Sequence, residues 1–457
     1  MLHEDEISQI IWNYNQLREI VKDHSDEKDS IDSILRPFHR MVYEEIPELL
    51  KESAPANIYE LLGDLQAVYE ALKDFMVYNS LIRKNIVGLG GGFSSGKSSF
   101  LNAMLGAGEV LPENINPSTS VPTYIVNGQK NAVKGINVFH TCMDLDLWSI
   151  NAISHGFGAV GTEEEGTKSV ELGHILRNLI LETSYQMYEN LAFLDTPGYS
   201  KPDEKGYSDR TDAAIARRQL NTVNYILWFL PVSEGGALPE SDVQFLKTLD
   251  LNIPVTIICS KAKRRTESQR AEIKTVIQRQ VAEQKLSIKD ILFFDTEAPQ
   301  QLDAQKIFGL FSQWNRKTYD GTAFSREFKC FFFQIDRYFD DEIREAGRRL
   351  NRLEQALLCM DCSQTILDGM HVLVLETKQE IQNLKQSRRR MEEIEFRLFV
   401  ELKKLSDLYG FAFQIPTQRE LLKEKQGQVV EENKGKRRQF ATRETKYASK
   451  IKERFDK

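Results

Sequence analysis

Gly91-Gly92-Phe93-Ser94-Ser95-Gly96-Lys97-Ser98 sets two glycines, a lysine and a hydroxyl at the spacing G-x-x-x-x-G-K-[ST]. Glycines at these positions let main-chain N–H groups turn inward around phosphate oxygens. Lys97 can reach the β- and γ-phosphates of a nucleoside triphosphate, and the Ser98 hydroxyl is a Mg²⁺ ligand by type. The apolar run 86–89 ahead of the loop reads as a buried strand, and 99–105, beginning at Ser99, reads as a helix. That helix would direct the partial positive charge of its N-terminus at the same anion. A glycine-rich turn that binds nothing would leave the Lys97-Ser98 pair without a role.

A second set of chemical groups follows. Asp195-Thr196-Pro197-Gly198 comes directly after the apolar strand 191–194. A carboxylate at such a strand tip can hold Mg²⁺ through water, and the Gly198 amide can sense the γ-phosphate, which makes the loop beyond it a switch. Between the two motifs lies Asn116-Pro117-Ser118-Thr119-Ser120-Val121-Pro122-Thr123. A threonine here can complete the Mg²⁺ shell while its main chain positions the attacking water; Ser118, Thr119 and Thr123 all qualify chemically.

These groups need a scaffold. Short β-rich runs at 86–89, 191–194, 225–230, 255–259 and 291–294 alternate with helical stretches. The alternation predicts a mainly parallel sheet with helices on both faces, with the phosphate loop after the first core strand. The segment 140–184, with Gly156, Gly158, Gly161 and Gly166 around Glu163, Glu164 and Glu165, reads as a mobile inserted loop. The two ends of the chain are helical in pattern. Ile7, Ile10, Tyr14, Leu17 and Val21, then Ile58, Leu61, Leu65, Val68, Leu72 and Phe75, recur at three- and four-residue steps. Pro47 and Pro55 mark a helix break between them. Ile343, Ala346, Leu350, Leu353, Leu357 and Met360 form a heptad seam, continued in kind by Ile381, Leu384, Met391, Ile394, Leu398, Leu402 and Leu405. Packing within one chain is preferred to an intermolecular coiled coil, and both ends are expected to form a single bundle. The expected division is 1–83 (N-terminal helical segment), 84–318 (nucleotide-binding domain) and 319–457 (C-terminal helices with a basic tail).

Bulk properties narrow the classes. A chain of 457 residues exceeds one ordinary core. Its 41% hydrophobic and 28% charged residues, with net charge -7, carry no general nucleic-acid signature, and nucleic acid is not an expected partner. No run approaches the roughly 18 apolar residues of a membrane span, and the polar, acidic start (His3, Glu4, Asp5, Glu6) is not a secretory signal. Five cysteines, an odd number, fit a reducing compartment, and Cys359-x-x-Cys362 reads as ordinary thiols rather than a metal or redox pair. The expected location is the cytoplasm, with peripheral contact at the inner face of the cell membrane as an extension.

Gly-Gly-Phe-Ser-Ser-Gly-Lys-Ser-Ser (91–99), Pro-Ser-Thr-Ser-Val-Pro-Thr (117–123) and Asp-Thr-Pro-Gly (195–198) together resemble the dynamin superfamily of large GTPases, its bacterial members especially. The motif resemblance covers roughly residues 85 to 262; for the helical ends it is architectural only. It implies an α/β P-loop GTPase domain set on an α-helical bundle made from both chain ends. It places the switch threonine at Thr119 and implies that Ser94 holds a monovalent cation, K⁺ or Na⁺, beside the β–γ bridge. Tyr199 follows Gly198 where small Ras-like GTPases carry a water-orienting glutamine, so charge between the β- and γ-phosphates must be neutralised in another way. In the family the cation does this, ordered when G domains pair. Phe93 stands where eukaryotic dynamins have a glutamine that helps to place the water, which implies a modest rate.

The base site departs further from the family. After 255–259 the resemblance calls for N/T-K-x-D, whose carboxylate accepts from guanine N1 and N2. The chain instead reads Ser260-Lys261-Ala262-Lys263. Lys261 is in place and its stem could cover the base. Lys263 is a donor where an acceptor is needed. Asp295, after the strand 291–294, is a candidate acceptor from the next loop. GTP is preferred on family grounds alone.

The expected function is therefore a Mg²⁺-dependent dynamin-like GTPase, stimulated by G-domain dimerisation or self-assembly and driving a helical stalk in membrane remodelling. No apolar paddle is evident, but the basic tail after Lys434 could meet anionic lipid, or a partner dynamin-like protein could supply the membrane contact. Two alternatives remain. One is a nucleotide-gated scaffold with little turnover, motivated by Phe93, Tyr199 and Lys263. The other is a P-loop ATPase, permitted by the degraded base motif.

Overall fold

The computed structural model describes residues 25–51, 53–92, 94–105, 121–145, 175–196, 212–232, 235–249, 253–319, 321–359 and 363–411. Nine strands form one sheet in the order β4-β3-β5-β2-β6-β1-β7-β8-β9. They are β1 (Asn85–Gly91), β2 (Thr123–Asn127), β3 (Ala132–Asn137), β4 (Cys142–Leu145), β5 (Leu176–Thr183), β6 (Leu191–Asp195), β7 (Tyr225–Pro231), β8 (Val255–Ser260) and β9 (Ile288–Phe293). The five adjacent strands β6, β1, β7, β8 and β9 are mutually parallel. Every residue of β1 is buried, as are most residues of β6 and β7, which is why these strands read as continuous apolar runs. Because they run the same way, Gly91, Asp195, Ser260 and Phe293 all emerge at one edge of the sheet.

The other half of the sheet is mixed. β2 is antiparallel to β6 and parallel to β5, and β3 is antiparallel to both β5 and β4. This corrects the reading of 140–184 as an inserted loop: its two ends are the strands β4 and β5, while 146–174 lies outside the described residues. Polar residues disguised β5. Its Arg177 and Asn178 both bond Asp74 of a packed helix, so they satisfy that helix rather than face water.

Helix α1 (Ser25–Arg40) continues through a π-turn (Met41–Glu45) into the short α2 (Ile46–Leu49). The helix break marked by Pro47 and Pro55 falls between Leu49 and Ile58. A proline inside a helix lacks an N–H and crowds the carbonyl four residues back, and the wider π-turn just ahead of Pro47 is where the helix takes up that misfit. Helix α3 (Ile58–Val77) buries Leu61, Leu65, Val68, Leu72 and Phe75, the stripe that its sequence spacing marks. Then come α4 (Lys97–Leu105), α5 (Asp212–Asn221), α6 (Glu240–Leu246), α7 (Glu267–Gln284), α8 (Ala304–Asn315), α9 (Thr322–Cys359) and α10 (Gln364–Tyr409).

Two contacts seat the helices that matter for the site. Phe100 of α4 is fully buried, with its ring centroid 4.9 Å from Phe229 and 4.7 Å from Phe294. Edge-to-face packing of this kind fixes α4 on the sheet more tightly than area alone would. Gly88 of β1 admits Leu220 of α5, for a Cβ at position 88 would lie 2.6 Å from the Leu220 side chain.

By packing, the described residues divide into two compact units: 25–44 with 59–328 and 405–411, and 45–58 with 329–404. In the second unit α9 and α10 are held together by Arg349 on Glu380 (2.6 Å), Lys378 on Glu354 (2.9 Å) and Arg388 on Asp336 (2.9 Å). Ser53 and Tyr338 share a hydrogen bond of 2.7 Å, and Arg397 pairs with Glu45, so segments from before and after the sheet pack together in this unit. Towards the junction of α9 and α10, Leu358 is 87% exposed and Ile366, Val372, Leu373 and Leu375 also face solvent.

In the first unit a buried polar cluster ties α3 to the mixed half of the sheet. His140 lies against Glu70 through Nε2 and 2.7 Å from Asp74 through Nδ1. Arg177 and Asn178 also bond Asp74, and Tyr43 donates to Glu70 at 2.6 Å. Burial would lower the His140 pKa, but the hydrogen bonds that its ring N–H groups donate to Asp74 and Glu70 outweigh it and the value is raised. Burial likewise opposes the charge on Glu70; the His140 hydrogen bond and charge, with Tyr43 and Arg177, prevail and bring it down to about 2. The imidazolium thus contributes stability that is fully present below 6.5 and is lost as pH rises through its higher folded value. The Glu70 contribution is present above 4.5 and is lost as pH falls toward about 2. His140→Ala should cost about 3 kcal/mol, the scale of a broken buried pair. Urea midpoints measured at pH 5.5 and pH 9 should fall more steeply for the wild type than for the variant; equal slopes would remove His140 from this role.

Candidate functional site

Four strand ends build the site. β1 delivers Gly91 and Gly92, and the loop closes on α4, whose first residues are Lys97, Ser98 and Ser99. Gly91 has φ +137°, and a Cβ there would stand 2.6 Å from the Phe229 carbonyl oxygen, so only glycine lets the chain leave the sheet at this point. Ser94 adopts φ +55°, a left-handed conformation that costs a non-glycine residue roughly 1–2 kcal/mol. Ser95 is buried and Ser94, Ser98 and Ser99 are exposed.

Lys97 is only 8% exposed. Its Nζ donates to the carbonyls of Gly91 (3.3 Å) and Gly92 (3.1 Å), which folds the side chain back over the loop that a phosphate lysine serves. Burial lowers its pKa, against the attraction of Asp195 and Asp242. Asp195, at the tip of β6, accepts from the Ser98 hydroxyl at 2.7 Å. Burial raises the Asp195 pKa, opposed by Lys97 and Ser98. The other oxygen of this carboxylate, Oδ1, is buried and has no hydrogen-bond partner. A hydroxyl and a carboxylate in contact, with one buried oxygen unsatisfied, is a donor set that fits Mg²⁺ and its water. Thr196 anchors the strand end by donating to the Leu89 carbonyl at 2.6 Å.

On the opposite side, β8 ends at Ser260, whose hydroxyl donates to the Ser95 carbonyl at 2.7 Å. Sequence reasoning gave Ser260 a place in the base motif but missed this link between that motif and the phosphate loop. Lys261 turns the chain with φ +57°, and Lys261 and Lys263 are both exposed. Asp295, the alternative acceptor, is buried; its oxygens already accept main-chain N–H groups from Lys263 (2.8 Å) and Glu297 (3.0 Å). It shapes the loop rather than presenting a free carboxylate.

The structure thus brings together Gly91, Gly92, Ser94, Ser95, Gly96, Lys97, Ser98, Ser99, Asp195 and Ser260 around one edge of the sheet, with Lys261 and Lys263 beside them. Thr119, Gly198, Phe93 and Tyr199 lie outside the described residues. No cluster of metal-binding side chains occurs among the described residues, so Mg²⁺ at this edge would depend on phosphate oxygens and water as well as on Ser98 and Asp195.

Residues 87–259 match the model of the Dynamin family. No curated protein matches the sequence. Among solved structures, an oligomerised bacterial dynamin pair, described as a mechanism for long-range sensing and tethering of membranes, is similar with TM-score 0.41 and 15% identity over 73% of this chain and 52% of that one. Aquifex aeolicus Era bound to GDP and AlF4⁻ is similar with TM-score 0.29 and 14% identity, over 52% of this chain and 62% of that one. The chain spans about half the length of the bacterial dynamin it matches, and the family match covers residues 87–259.

Gly91→Ala tests the cradle directly. Its methyl group would meet a main-chain oxygen in a conformation reserved for glycine. A titration with a fluorescent triphosphate should show affinity reduced roughly tenfold or more, about the 1.4 kcal/mol that one distorted contact removes; unchanged affinity would place the phosphates elsewhere.

Proposed function

We propose, from the match of residues 87–259 to the Dynamin family model, that this protein hydrolyses GTP with Mg²⁺ and couples the reaction to self-assembly and to movement of its helical part. The observation that carries the reading is the Ser98–Asp195 contact beside a buried Lys97. In this reading Lys97 leaves the Gly91 and Gly92 carbonyls to pair with β- and γ-phosphate oxygens. Ser98 and Asp195 are the residues that would hold Mg²⁺, which when bound would neutralise charge on those oxygens. Ser94, with its left-handed main chain, is the residue that would serve K⁺ or Na⁺. Thr119 positions the attacking water and Gly198 senses the γ-phosphate. Lys261 lays its stem along the base.

Residues 84–318 act as the hydrolysing part in this proposal, and the unit of 45–58 with 329–404 as the helical part that responds. Two features favour a membrane as the place of action: the basic residues after Lys434 and the exposed Leu358, Ile366, Val372, Leu373 and Leu375. No described helix is long and apolar enough to cross a bilayer, so contact would be peripheral, directly or through a second dynamin-like chain.

A second reading, a nucleotide-gated scaffold with little turnover, rests on Phe93, Tyr199 and Lys263, each a departure at a position of chemistry. Steady-state phosphate release separates the two. We expect turnover per molecule to rise with protein concentration and Lys97→Ala to reduce it by roughly a hundredfold or more, as loss of a transition-state charge partner does. Constant specific turnover would remove the assembly clause, and tight binding without phosphate release would leave the scaffold. Ser94→Gly should keep or raise thermal stability, since it relieves the left-handed strain, while lowering turnover if the residue serves the cation.

A further inference from the structure

The base-reading carboxylate absent from position 263 has a neighbour that supplies one. Glu297, on the loop after β9, places Oε2 3.1 Å from the Lys263 ammonium. Two backbone bonds fix that juxtaposition. Asp295 is buried and takes the Lys263 N–H on one oxygen and the Glu297 N–H on the other, so one carboxylate clamps the two loops side by side. Parallel pairing of β8 with β9 up to Cys259 and Phe293 brings the loops out together. Ser260 ties the first of them to the phosphate loop through the Ser95 carbonyl.

We propose that Glu297 is the residue that reads the base: its carboxylate, held by Lys263, accepts hydrogen bonds from N1 and N2 of guanine. This rests on the reading that the edge binds a triphosphate nucleotide. The Glu297 side chain is 68% exposed and its loop leaves the carboxylate free to meet a ligand. Guanine offers two adjacent donors, which both oxygens of one carboxylate can accept, whereas the matching edge of adenine offers one donor beside an acceptor. Lys263 then acts as the positioning residue: it orients Glu297 and offsets part of its charge. The acceptor thus comes from the loop after β9, and Lys263 on the neighbouring loop holds it.

The test is nucleotide affinity of the full chain with Mg²⁺, measured by displacement of a fluorescent triphosphate with GTP, ATP and xanthosine triphosphate. The wild type should prefer GTP to ATP. Glu297→Gln should weaken GTP roughly tenfold or more, leave ATP within about twofold, and improve xanthosine triphosphate, because an amide can donate to the xanthine O2 where a carboxylate repels it. Lys263→Asp placed on top of Glu297→Gln should restore the GTP preference; that rescue shows the loss was one of recognition and not of folding. An unchanged GTP-to-ATP ratio in Glu297→Gln overturns the assignment. A wild type that binds both nucleotides equally, or prefers ATP, also overturns it while leaving the triphosphate site standing. Failure of every triphosphate to bind removes the site itself.

Discussion

The hydrogen bond from Ser98 to Asp195 depends on almost every other feature of the sheet-bearing unit. It joins the first turn of α4 to the tip of β6, residues 97 positions apart in sequence. For it to form, β1 and β6 must be parallel neighbours and in register, which the Leu89–Asp195 pairing provides. Helix α4 must also be fixed in rotation, which Phe100 does by packing against Phe229 and Phe294. The desolvation that raises the Asp195 pKa and lowers that of Lys97 shows what this arrangement costs without an anion and cation between them. Two buried charges that only partly offset each other mark this edge as the candidate for a ligand that carries both signs of charge.

The same edge shows how two loops can share one task. Ser260 and Ser95 connect the base side to the phosphate side by a single hydrogen bond. Asp295 joins the two base-side loops through main-chain groups rather than through side chains. Main-chain attachment makes the loop geometry insensitive to which side chains it carries. An acceptor can therefore pass from position 263 to position 297 without a change of fold.

The fold of the Gly91–Ser98 segment was legible in the sequence and the pairing of the loops that carry Lys263 and Glu297 was not, for a physical reason. Gly91, Lys97 and Ser98 act within one continuous loop, so their spacing alone states the geometry. Asp195 follows an apolar strand, which places it at the sheet edge by topology. Glu297 acquires its meaning only through the pairing of β8 with β9 and the clamp at Asp295, both long-range facts. The mixed half of the sheet escaped notice likewise. Arg177 and Asn178 make β5 look like a solvent-facing segment, yet Asp74 of α3 satisfies both. Polar residues that answer a buried partner cannot be told from surface residues without knowing the partner.

That cluster also bears on how the first unit holds its helices. Glu70 and Asp74 are one turn apart on α3 and would repel if buried alone. His140, Arg177, Asn178 and Tyr43 arrive from three other elements and neutralise them. His140 does so from a left-handed backbone conformation at φ +58°, strain that the two carboxylates offset. An apolar contact would tolerate sliding of α3 along the sheet, but this set of directional bonds defines a single docked position. Because its members carry charge, that position is conditional on pH, whereas the Phe100 contact that seats α4 is not. Within one unit the helix after the phosphate loop is therefore seated by aromatic packing, whereas α3 adds to its buried apolar stripe a charged cluster whose contribution varies with pH.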